Sequence, residues 1–122
     1  MDQDAFEQEV RRAVASLPEA ERRALAEVPV QVADVPALDD LTAVDPPLSP
    51  SILGLFRGPP EREACLPDDG PPCRSIVFYR RNLARFARSR RELEEQVRVT
   101  LLHELGHFHG ESEEDLRARG LE

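Results

Sequence analysis

The chain has 122 residues and a formal net charge of −8. That suits a single domain over residues 1–122 and disfavours nonspecific attraction to nucleic acid. No apolar run approaches the roughly 20 residues of a membrane span, and the acidic start Met1-Asp2-Gln3-Asp4 lacks the basic head and apolar core of a secretion signal. A cytoplasmic globular protein is expected, with neither nucleic acid nor membrane among its partners; monomer and dimer fit the sequence equally.

Phe6, Val10, Ala13, Val14 and Leu17 recur at helical spacing over residues 3–16, and Pro18 ends that helix. Residues 19–27 predict a second, short helix. Residues 28–32 alternate like a strand, with Pro29 tolerated near its start. Residues 34–50 are rich in proline and aspartate and predict a loop, with a helical turn near Leu38 to Leu41. A strand over 52–56 and a long loop over 58–72 follow. Cys65 and Cys73 bracket the end of that loop. Across a turn they can reach disulfide distance, but cytosolic chemistry keeps such pairs reduced, so free thiols are expected and a disulfide is optional.

Residues 75–79 predict a strand, with Ile76 and Phe78 alternating against Val77 and Tyr79. Asn82 is the expected cap of a short helix to Arg88. From about Arg90 to His109 the stripe Leu93, Val97, Leu101, Leu105 and Phe108 predicts a long helix. The arginines at 80, 81, 85, 88, 90, 91 and 98 read as a solvated helix surface. A last helical turn from Glu113 to Arg119 follows Gly110. Helices and strands in this mixture make an α+β chain.

The long helix carries His103-Glu104-Leu105-Gly106-His107. Residues i and i+4 of a helix share a face, so His103 and His107 can offer two imidazole nitrogens to one metal ion. Glu104 sits about 100° round from His103; it is poorly placed as a ligand of this pair but can reach a water on the metal. A catalytic zinc needs a third protein ligand. His109 is about 200° round from His107 and faces away, so it is expected at the surface. Gly110 allows the left-handed turn that commonly ends a helix, and Glu113 is the first acid beyond it with a route back. The two histidines lie roughly opposite Leu101 and Leu105, so one side of the helix can pack while the other frames a cleft. Tyr79 is expected in the core or at the cleft rim.

The stretch H-E-L-G-H-F-H-G-E-S-E-E-D-L resembles the zincin signature H-E-x-x-H-x-x-G-x-x-D/H. More closely, the chain resembles the small bacterial zincin-like metallopeptidases, the minimal zincins. The segments F-E-Q-E-V-R-R-A-V-A-S-L-P, I-L-G-L-F-R-G and S-I-V-F-Y-R-R-N-L-A-R-F-A extend the likeness over nearly the whole chain. The resemblance implies a minimal zincin-like fold, with a small mixed sheet packed against the motif helix and the N-terminal helices. It implies one zinc ion per chain on His103, His107 and Glu113, with Glu104 as catalytic base and a peptide or protein as substrate. The family usually has aspartate where this chain has Glu113; Glu114 and Asp115 are the fallback ligands. Larger relatives place a methionine turn beneath the metal, and the only methionine here is Met1. The segment Leu116 to Leu121 is the candidate replacement floor. The alternative function is a zincin-fold binding module with little or no turnover. The strand expected to hold an extended peptide is 52–56 or 75–79.

Overall fold

The computed structural model describes residues 2–65 and 72–121. In chain order the elements are α1 (Gln3–Ser16), α2 (Glu19–Ala24), β1 (Val30–Ala33), α3 (Leu38–Thr42), β2 (Gly54–Arg57), β3 (Ser75–Tyr79), α4 (Arg80–Phe86), α5 (Arg90–Phe108) and α6 (Glu113–Ala118). The fold is α+β, a three-stranded mixed sheet packed with helices.

The strands lie in the order β1-β3-β2. β3 is central, parallel to β1 and antiparallel to β2. All five of its residues are buried, as a strand with neighbours on both edges and cover on both faces requires. Ile76 and Phe78 enter one apolar cluster with Phe6 and Val10 of α1 and Leu93, Val97, Leu101, Leu105 and Phe108 of α5. The α5 stripe read from the sequence is therefore the packing face. Each such side chain contributes about 1.5–3 kcal/mol on burial, whereas exposed ion pairs such as Arg98–Glu95 (2.8 Å) contribute about 0–1 kcal/mol. Packing, not surface charge, sets where α5 lies. Ser89 starts that helix by accepting the Glu92 N–H (3.1 Å), a cap worth about 1 kcal/mol.

One expectation changes. Asn82 does not cap α4, because the helix begins at Arg80, directly after β3, with Tyr79 at the cap position. The Asn82 amide is buried and donates to the carbonyls of Pro50 and Ile52, both at 2.8 Å, pinning the segment that leads into β2. Cys65 and Cys73, expected as free thiols with a disulfide optional, are placed within disulfide reach, with Cα atoms 6.1 Å apart. The Arg74 guanidinium donates to the carbonyls of Pro59, Pro60 and Glu63 at 2.8 Å each, and this local clamp gathers the approach to Cys65 beside Cys73. The central part of the intervening loop, residues 66–71, lies outside the described residues. Among the described residues no helix is long and apolar enough to cross a membrane.

Candidate metal centre

His103, Glu104 and His107 occupy the last two turns of α5 and offer donor atoms within 4.8 Å of one another. The imidazole centroids are 5.0 Å apart, as an i, i+4 pair on one helix face should be. Beyond Phe108 the helix stops in a Schellman turn. Gly110 adopts φ +87°, its N–H bonds the His107 carbonyl (3.0 Å), and the Glu111 N–H bonds the Gly106 carbonyl (2.9 Å). The reversal starts α6 through a reciprocal capping box between Ser112 and Asp115. Asp115 is thereby committed to the cap.

The reversal brings Glu113 back over the histidines. Its Oε1 stands 2.6 Å from His107 Nε2 and 3.3 Å from His103 Nε2, and its Oε2 is 3.2 Å from His103 Nε2. Of the three acids considered from the sequence, Glu113 is the one brought to the imidazoles among the described residues. The opposite ring nitrogens face main-chain oxygens: His107 Nδ1 lies 3.0 Å from the Glu111 carbonyl, and His103 Nδ1 bonds the Leu121 carbonyl. A carbonyl only accepts, so both Nδ1 atoms carry the proton and both Nε2 atoms turn a lone pair toward Glu113. Three acceptors thus converge on one point, and a positive charge is needed between them. In the metal-free protein a proton can supply it. Burial opposes charge on His103, but the Leu121 carbonyl and the carboxylates of Glu104 and Glu113 outweigh it and raise its pKa. Burial likewise opposes charge on Glu113, and the two imidazoles overcome it, leaving that pKa lowered.

Glu104 sits differently. It is 7% exposed, its Oε1 accepts the Phe56 N–H of β2 at 2.9 Å, and its Oε2 lies 3.7 Å from His103 Nε2. Burial pushes its pKa up to about 7, partly offset by His103, His107 and the Phe56 bond. Gly54 allows this approach of strand to helix. A Cβ there would lie 2.6 Å from Thr100 Cγ2 and 3.1 Å from the Val77 carbonyl oxygen. Gly54→Ala should therefore force β2 away from α5 and cost about 1–3 kcal/mol, the usual penalty of overpacking, read as a lower urea midpoint at unchanged m-value.

The centre opens on a cleft of about 400 Å³ between α5 and β2, walled by Val44, Leu48, Ile52, Leu53 and Val99. β3 is paired on both edges, so of the two strands expected to hold a peptide only β2 has a free edge here. A second cavity of about 450 Å³ between α1, α2 and β1 is apolar apart from Glu7, Arg11 and Gln31 and holds no comparable cluster.

His109 faces away, as its helical position requires, and meets Glu61 at 3.0 Å. Tyr79 is fully buried. By strand alternation it shares a face with Val77, opposite the Ile76 and Phe78 of the main cluster, and it is buried on the side of Asp40, Arg57 and Glu104. Leu116 and Leu121, at the two ends of the segment the sequence offered as a floor, are both buried. Leu116 seats against Gly106, where a Cβ would stand 2.3 Å from its Cδ2. Sequence reading missed Gly54, Gly120 and the main-chain groups of Phe56, Glu111 and Leu121. Every residue has such groups, so no residue letter marks them; the glycines were the one available signal.

No curated protein matches the chain. A family model does, over residues 25–121, and its description is zincin-like metallopeptidase. The match spans most of the sequence and contains the whole centre, so the chain belongs to the zincin-like metallopeptidase family.

Proposed function

We propose that this protein is a zinc-dependent peptidase in which His103, His107 and Glu113 hold the ion and Glu104 is the general base. The observation that carries the reading is the convergence of two imidazole Nε2 atoms and one carboxylate, with both Nδ1 protons already committed to main-chain carbonyls. Two nitrogens and one oxygen are a donor set that suits zinc. Glu113 is favoured over Glu104 as the third ligand because it lies closer to the imidazoles and because the Phe56 N–H already holds one Glu104 oxygen.

A bound divalent ion supplies Lewis-acid activation of water and of the substrate carbonyl. The chain's own residues do the rest. Phe56 N–H fixes Glu104 Oε1, which leaves Oε2 to take a proton from the attacking water. The new C–O bond forms, the peptide C–N bond breaks, and Glu104 passes the proton to the leaving amine. The substrate lies extended beside β2, pairing with the Gly54 main chain and the Phe56 carbonyl on the side away from β3, since the Phe56 N–H is already held by Glu104. The apolar wall of the cleft receives its side chains.

Protein purified without chelator should contain one zinc per chain by elemental analysis and should cleave unstructured peptides. Dialysis against a chelator should abolish cleavage, and added zinc should restore it. Failure to take up zinc would remove the metal reading. A zinc-loaded protein that cleaves nothing across a broad peptide library would leave the binding module as the function.

A further inference from the structure

We infer that the main-chain carbonyl of Leu121, delivered by a left-handed turn at Gly120, is a positioning group that aims His103 at the metal; the inference rests on the metal reading above. α6 ends in a second Schellman turn. The Gly120 N–H bonds the Arg117 carbonyl (3.0 Å), the Leu121 N–H bonds the Leu116 carbonyl (2.9 Å), and Gly120 adopts φ +77°. Leu121 is 8% exposed, so its carbonyl is held in place rather than waving in solvent. It accepts from His103 Nδ1.

The six-residue helix α6 therefore serves one imidazole from both ends. Glu113, in its first turn, meets His103 Nε2; Leu121, just past its last, meets Nδ1. Contact of Leu116 with Gly106 sets the height of the helix over α5. His107 is served separately, by the Glu111 carbonyl in the turn before α6. A carbonyl on Nδ1 fixes the tautomer, orients the ring and raises the basicity of the ligating nitrogen, and loss of such a partner typically lowers metal affinity about 10- to 100-fold. Because the two imidazoles have different partners, disturbing Gly120 should affect His103 and spare His107.

Gly120 can be tested cleanly because a Cβ there would meet nothing within 4 Å. Only the backbone conformation resists substitution. Valine is strongly disfavoured at positive φ, whereas asparagine visits that region. Zinc affinity, read by competition with a chromophoric chelator, should fall about 10- to 100-fold in Gly120→Val and remain near wild type in Gly120→Asn. In nitrogen-edited NMR of the zinc-loaded proteins, the imidazole Nδ1–H of His103 should be protected from solvent exchange in wild type and lose that protection in Gly120→Val. The signal of His107 should persist in both.

Wild-type affinity in Gly120→Val would overturn the inference, as would an equal loss in Gly120→Asn. If Gly120→Val does not fold, wild type alone decides: a His103 Nδ1–H that exchanges as fast as an exposed imidazole overturns it. A wild type that takes up no zinc sinks the metal reading and this inference together, whereas unchanged affinity in the valine variant sinks this inference only.

Discussion

Glu104→Gln should lower peptide turnover about 10²- to 10⁴-fold, the range assigned to one positioned general base, while the protein still binds one zinc. Glutamine keeps the shape and keeps an oxygen to accept the Phe56 N–H. It has no carboxylate to take a proton. The zinc donors proposed here are all elsewhere, so the loss should appear in kcat with little change in KM. Stability should not suffer. Glu104 is 7% exposed, and burial already disfavours its charged form, which is why its pKa is pushed up to about 7. A neutral isostere removes that penalty, so the metal-free variant should melt no lower than wild type. Turnover within tenfold of wild type would take Glu104 out of the role of base.

Glu113→Ala should reduce zinc affinity by more than about 100-fold, exceeding the effect of losing an outer partner of a ligand. The metal-free fold should barely notice. The Glu113 side chain is 65% exposed, so its pairing with the imidazoles is screened by solvent and worth about 0–1 kcal/mol, and its favourable charge in the first turn of α6 adds less than about 1 kcal/mol. A large loss of affinity with a nearly unchanged unfolding midpoint would mark a ligand. Unchanged affinity would remove Glu113 from the site and reopen the choice of third donor. The pair of variants thus separates two roles that lie within a few ångströms of each other.

Much of the fold was legible because its causes are local. The apolar stripe from Leu93 to Phe108 has helical period, and all five of its members are buried. Gly110 and the acids after it predicted a reversal, and Ser112 with Asp115 supplies the cap that restarts the helix. Asn82 failed as a cap for a reason of the same kind reversed. A cap needs its side-chain oxygen at the residue before the helix, but α4 begins two residues earlier, at Arg80, and the Asn82 NH2 group instead donates to the distant carbonyls of Pro50 and Ile52. The cysteines were judged by compartment, whereas their separation is a tertiary matter: Arg74, next to Cys73, bonds the carbonyls of Pro59, Pro60 and Glu63 on the approach to Cys65.

Spacing along one helix was enough to name His103, His107 and Glu104, since four residues and one turn coincide in any α-helix. The order of the strands, the free edge of β2 and the seat of α6 on Gly106 were not contained in any short window, because they depend on which distant segments exclude water together. The same holds for the Phe56 N–H on Glu104 and the Leu121 carbonyl on His103. Main-chain donors and acceptors are identical at nearly every position, so only the assembled packing of helix and strand says which of them arrives at a side chain.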